Sequence, residues 1–201
     1  MTEFFYKPIK FRDRELITQQ LKIFGEKYNP DNKKTIRFDN ELLEVYAPSL
    51  AQQFKEMDLH LDIFRGFVTY PRDELGIHRD GSLEYPKKLA INWPVENCAG
   101  TQMYWWKFFG DPILEEQSEQ FKFEHDISAS YNPQYKSSDA LFNYDNVLVT
   151  YEKTNAEIVE KLELTDPTLI NVDIHHSVGN PFDTFRKIIS FRFIPEPLHL
   201  I

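Results

Sequence analysis

The sequence has one cysteine, Cys98, among 201 residues. No internal disulfide can form, so a disulfide-stapled secreted scaffold is excluded and a reducing compartment is the natural setting. No apolar run is long enough to span a bilayer. The N-terminal stretch, Met1-Thr-Glu-Phe-Phe-Tyr-Lys-Pro8, lacks a basic start followed by an apolar segment, so a signal peptide is not expected. No internal repeat or low-complexity tract appears. Basic residues are outnumbered, 23 Lys and Arg against 32 Asp and Glu, for a formal net charge of -9. An acidic surface repels phosphate backbones, which disfavours nonspecific nucleic-acid binding. A local basic pocket is compatible with that balance. These absences together point to a soluble, cytoplasmic protein with no membrane partner.

Aromatic residues, by contrast, are plentiful: 17 Phe, 10 Tyr and 3 Trp. Such side chains fit pleated, half-buried surfaces and favour strands. The length suits a single domain over residues 1–201, with a helical part at 1–59 and a β core at 60–201. Residues 13–24 place Leu16, Ile17, Leu21 and Phe24 near helical spacing, with Asp13 as N-cap. A second helix is expected from Pro48, with Leu50, Phe54 and Met57 on one face.

From about residue 60 the pattern changes to short apolar and aromatic runs separated by turn residues. The expected strands are 63–70, 88–95, 101–109, 120–125, 146–153, 169–176 and 187–194. This spacing signals a sandwich or barrel. Thr154 and Glu157 form a capping-box pattern ahead of Ile158, Val159 and Leu162, which predicts a short helix there. Residues 126–145 read as a long loop, of the kind that often serves as a lid.

Six histidines are present. An oxygen-activating non-haem iron site needs two imidazoles and one carboxylate on one face of the metal, with the other face open. A His-x-Asp at a strand edge supplies two of these at once, because residues i and i+2 point to the same side. The motif occurs twice, as His60-Leu61-Asp62 and His78-Arg79-Asp80. In the first, alternation puts Leu59, Leu61 and Ile63 on one face and leaves His60 and Asp62 on a solvated one. The second follows a strand and a Pro-containing loop. It is succeeded by Gly81, where the chain can turn sharply, and by the patterned strand Lys88-Leu-Ala-Ile-Asn-Trp93. His78 and Asp80 are therefore the preferred pair.

A distal segment carries the remainder. A strand ends in His175-His176, a turn follows at Gly179, Asn180 and Pro181, and Arg186 opens the next strand. Antiparallel pairing of those two strands would return Arg186 to the level of the histidines. A buried arginine beside a metal can clamp a carboxylate bidentately, which lysine does less well.

His-x-Asp, a distal His and an Arg ten positions later together resemble the Fe(II)/2-oxoglutarate-dependent oxygenase superfamily. His176-Ser-Val-Gly-Asn180 followed by Arg186 is similar to the distal motif of its aspartyl/asparaginyl β-hydroxylase-like branch. That branch typically has glycine where this chain has Asp80. The resemblance implies a double-stranded β-helix, a cupin-type jelly roll that is mainly β with flanking helices. It implies Fe(II) held by His78, Asp80 and His176, and 2-oxoglutarate as cosubstrate with its far carboxylate on Arg186. His176 fits the motif register, whereas His175 would point to the other side of the strand. Ser190 shares the strand face of Arg186 and would add a hydrogen bond. Asn92 and Tyr70 are weaker candidates for the same pocket.

Lys87 or Lys88 stands where the branch carries a basic residue, and an exposed lysine is the simpler reading. Tyr104-Trp105-Trp106 reads as core, and Cys98 as a small buried hydrophobe. The implied activity is hydroxylation of a small molecule or peptide with release of succinate and CO2. Two alternatives stay open: a cupin-like metalloenzyme without an oxo-acid cosubstrate, and a noncatalytic jelly-roll binding module. The oligomeric state is not fixed by the sequence.

Overall fold

A computed structural model describes residues 4–78, 88–109, 113–116, 147–150 and 156–201, with the backbone alone at 75–78, 108, 113–116 and 147–150. The elements are β1 (Tyr6–Pro8), α1 (Arg14–Tyr28), β2 (Thr35–Phe38), α2 (Leu42–Tyr46), α3 (Pro48–Glu56), β3 (Leu61–Thr69), β4 (Glu74–His78), β5 (Leu89–Glu96), β6 (Gln102–Phe108), β7 (Ile113–Glu116), β8 (Val147–Thr150), β9 (Ala156–Leu162), β10 (Thr168–Asn171), β11 (His176–Gly179) and β12 (Arg186–Phe193). A six-stranded sheet runs β1-β10-β5-β12-β3-β2, and a four-stranded sheet runs β4-β11-β6-β9. β7 and β8 pair separately. All described pairings are antiparallel. The architecture is a β jelly roll with helices packed on the large sheet.

Two apolar layers hold it. Ile17, Leu21 and Phe24 recur at helical spacing on α1 and are fully buried. They pack with Leu50 and Phe54 of α3 against Phe64, Ile91, Trp93, Ile189, Phe191 and Phe193 on the outer face of the large sheet. Alternation turns the neighbours of those strand residues inward. Ala90, Ile170 and Ile188 there meet Met103 and Trp105 of the small sheet. Tyr6 stacks on Trp105 with ring centroids 5.5 Å apart. Trp105 is thus core, as its neighbours imply.

Several expectations need correction. Asp13 holds the N-cap position of α1 but in a left-handed conformation, φ 54°, with no side-chain cap bond; its carboxylate accepts from Ser49 Oγ instead. Leu16 is about half exposed, off the buried stripe. The N-terminal part is not only helical, since β1 and β2 form both edges of the large sheet. The helix expected after Thr154 is the strand β9. Its backbone pairs with β6 from Leu162 opposite Met103 to Ala156 opposite Phe108. Local capping signals lose there to an open sheet edge whose N–H and C=O groups need partners, and the β-branched Ile158 and Val159 suit the strand.

The stretch expected as one strand to His176 breaks in two. Asn171 Oδ1 accepts the amide of Asp173 at 3.1 Å, a local turn that carries the chain from the large sheet to the small one. β11 and β12 therefore lie in different sheets and do not pair. β11 is flanked by β4 and β6, and β12 by β3 and β5. The expected strand at 120–125 and the loop at 126–145 lie outside the described residues.

Candidate functional site

His176 opens β11 between two register partners, His78 on β4 and Trp105 on β6. Val178, two residues on, packs against the cluster between the sheets, so His176 faces the same interior. The imidazole is only 3% exposed. Its Nδ1 lies 2.8 Å from the carbonyl of Ile174. A carbonyl accepts, so the proton belongs on Nδ1 and Nε2 becomes the ligating nitrogen of any metal-bound form. His175 precedes the strand and uses its carbonyl to accept the Trp106 amide.

His78 ends β4 directly beside His176, so the two backbones present histidines on neighbouring strands. Asp80 lies outside the described residues. Among the described residues no three His, Cys, Asp or Glu side chains gather. The rival pair is otherwise engaged: His60 is strongly exposed and sits 3.3 Å from Asp58.

Arg186 opens β12 and is 2% exposed. Its Nε donates to Thr101 Oγ1 at 3.0 Å. Thr101 in turn donates to the carbonyl of Cys98 at 2.6 Å. Among the described residues, no carboxylate pairs with Arg186. Burial pushes the guanidinium below its ordinary range, with Cys98 acting the other way. Arginine stays protonated in proteins, so the cost of a buried cation is relieved only by a partner. Burial likewise pushes the Cys98 thiol up, which fits an inert buried cysteine.

The turn between β11 and β12 is tied down by Asn180. Its Nδ2 donates to the carbonyls of Thr69, Tyr70 and Thr184 at 3.2, 2.9 and 2.7 Å. Its amide donates to Asp73. The last residue of the His-x-Val-x-Asn run is thus a clamp joining that turn to the segment between β3 and β4.

The remaining candidates separate. Ser190 and Asn92 are register partners on β12 and β5. Ser190 is 1% and Asn92 8% exposed, and Ser190 Oγ and Asn92 Oδ1 have no hydrogen-bond partner. Tyr70 is not brought to them: its ring meets the edge of Phe185 at 5.5 Å and lies under the Lys34 ammonium. Lys88 is exposed, and Lys87 lies outside the described residues. Thr101 was missed by sequence reading, because nothing local marks a threonine after a turn as the partner of a distant arginine.

No family model matches the sequence, and no curated protein matches it. Solved structures do match in shape. The non-haem monooxygenase ThoJ in its apo form superposes with a TM-score of 0.50 at 13% identity, over 94% of this chain and 74% of that one. AviO1 from Streptomyces viridochromogenes Tue57 gives 0.45 at 13% identity, over 96% and 91%. EvdO2 from Micromonospora carbonacea var. aurantiaca gives 0.46 at 15% identity, over 96% and 94%. At these identities the likeness is one of fold, and the fold is one that this chain shares with the non-haem monooxygenase ThoJ.

Proposed function

We propose that the chain is an Fe(II)- and 2-oxoglutarate-dependent oxygenase that hydroxylates a small molecule or peptide. The observation that carries this reading is Arg186, a fully buried guanidinium with a neutral hydroxyl partner, facing into the jelly roll from the strand that follows the His176 strand. Such a cation is costly unless an anion completes it. The far carboxylate of 2-oxoglutarate is a fitting anion, and the planar fork of arginine suits it.

The residues present also suit a metal. His176 is buried, and its Nδ1 contact with the Ile174 carbonyl orients the ring, so Nε2 would be the ligating nitrogen. His78 is its register neighbour, and Asp80 follows at the spacing that adds a carboxylate. Bound iron would supply the oxygen-activating chemistry that couples 2-oxoglutarate decarboxylation to C–H oxidation. The protein's own residues would orient the cosubstrate, neutralise its charge and exclude water.

Anaerobic addition of Fe(II) and 2-oxoglutarate together should produce a visible charge-transfer band that neither produces alone. Asp80→Ala and His176→Ala should each abolish that band and the uncoupled turnover of 2-oxoglutarate. A folded protein that gives no band with both present would reject the reading. Metal content after purification separates a metalloenzyme from a binding module.

A further inference from the structure

Trp105 and Trp106 are adjacent on β6, so alternation sends their rings to opposite faces of the small sheet. Both indole N–H groups nevertheless find acceptors in one short stretch, residues 171–177, which carries His176.

Trp105 takes the inner face. It is the register partner of His176 and lies beside it across the strands. Its Nε1 donates to the carbonyl of Asn171 at 3.0 Å. Its ring is held in turn by the stacked Tyr6 and by Phe5, edge-on with centroids 5.8 Å apart. The backbone it grips opens the turn that presents the Ile174 carbonyl to His176 Nδ1. Asn171 secures the same turn from the N-terminal side, donating through Nδ2 to the Phe4 carbonyl at 2.9 Å and through its amide to the Phe5 carbonyl at 2.8 Å.

Trp106 takes the outer face. Its amide donates to the His175 carbonyl at 2.9 Å, and its Nε1 donates to Ser177 Oγ at 2.9 Å. Ser177 is fully buried, so water does not readily replace that bond. One residue thus grips both neighbours of His176. The amide bond is open to any residue at this point of the ladder; the indole bond requires tryptophan. Side-chain direction in a strand follows the backbone, so fixing residues 175 and 177 fixes where His176 points. Groups that orient a metal-binding imidazole govern its affinity for the metal.

We propose that Trp105 and Trp106 are positioning residues for His176, a two-sided brace that holds its Nε2 in place to ligate. Trp105 acts through the turn that carries the Ile174 carbonyl, and Trp106 acts through Ser177. The brace rests on the metal-dependent reading above.

The test titrates the full chain with Co(II) under nitrogen, follows the visible bands of the bound metal, and records the metal-free Tm of each variant. Trp106→Phe keeps a ring and the amide bond but loses the indole N–H, and Ser177→Ala loses its acceptor. Each should weaken Co(II) binding about tenfold, and the double variant should bind no more weakly than the weaker single, because both remove one bond. Trp105→Phe should weaken binding similarly, with a larger fall in Tm because Trp105 is fully buried. A role in stability alone would lower Tm and leave the Co(II) affinity of the folded protein unchanged. Wild-type affinity in a folded Trp105→Phe, Trp106→Phe or Ser177→Ala variant, or losses that add in the double, overturns the brace. His176→Ala separates this from the reading beneath it. If that variant binds Co(II) as wild type does, the metal site itself is misassigned. If it loses binding while the tryptophan variants keep it, only the brace has failed.

Discussion

Arg186 Nε donates to Thr101 Oγ1 at 3.0 Å, and both side chains are buried. The hydroxyl aims the guanidinium but does not neutralise it. In the ligand-free protein Arg186 is therefore a cost, and Arg186→Met, of similar length and without charge, should leave stability unchanged or raise it by about 1–3 kcal/mol. The same variant should lose the 2-oxoglutarate response. Urea unfolding and thermal shift measure the two effects, and a destabilised variant that still binds 2-oxoglutarate contradicts the role given to Arg186.

Thr101 acts through Arg186, so its variants should move affinity rather than turnover. Thr101→Val should raise the Kd for 2-oxoglutarate by about fivefold to tenfold, the worth of one hydrogen bond. Thr101→Ser keeps the oxygen and should keep the affinity. Equal losses in both variants would point to packing instead of positioning.

Glu96 offers a pH test away from the site. Burial pushes its carboxyl up, but hydrogen bonds and charges from Lys22 and Lys187 outweigh this and hold it below the ordinary range. A carboxyl depressed in the folded state stabilises above its unfolded pKa, roughly 4.3, and that contribution disappears as pH falls through the folded value. Wild type should therefore exceed Glu96→Gln in stability at pH 7, and the gap should shrink steadily below the unfolded value. The Glu96 side chain is still about a quarter exposed and its Lys22 partner more so, so solvent screening keeps the gap small. A gap independent of pH would remove charge from the explanation.

Cys98 should be silent to alkylation. Its thiol is buried and pushed up by that burial, and the thiolate is the reactive form. Iodoacetamide at pH 8 should label the native protein far more slowly than the urea-unfolded protein. Rapid native labelling would mean that the segment around Cys98 opens.

Much of the framework was legible from residues. The α1 stripe, the proline start of α3 and the strands β3, β5, β6 and β12 follow from periodicity and local punctuation. The misses share a cause. Residues 156–162 carry a helical signal that yields to the demand of β6 for a partner, and no local rule reports that demand. The apparent run to His176 splits because Asn171 turns the chain between sheets, so His176 and Arg186 lie in different sheets and not along one ladder. At the site, alternation on β12 was enough to align Ser190 with Arg186, and extended two residues it also reaches Arg192. The pairing of Ser190 with Asn92 needed the register of separate strands, which is a tertiary fact.

Asn180 is where the sequence motif and the fold coincide. Three carbonyls, those of Thr69, Tyr70 and Thr184, share its amide nitrogen, and its Oδ1 accepts the amide of Phe182 at 3.3 Å. The side chain is 2% exposed, so water cannot replace these bonds freely. Asn180→Ala should cost about 2–3 kcal/mol, from lost hydrogen bonds and carbonyls left buried. The effect should extend beyond stability, because the clamp fixes the end of β11, which carries His176, relative to the start of β12, which carries Arg186. Under conditions where Asn180→Ala remains folded, metal affinity should fall less than 2-oxoglutarate affinity, since the turn runs directly into Arg186 but begins four residues beyond His176. Asn180→Asp tests the donor specifically: it retains the acceptor for Phe182 and loses the donation to the carbonyls. Measured by urea unfolding and calorimetric titration, an aspartate variant as stable as wild type would show that the three carbonyl contacts contribute nothing to holding the two strands in place.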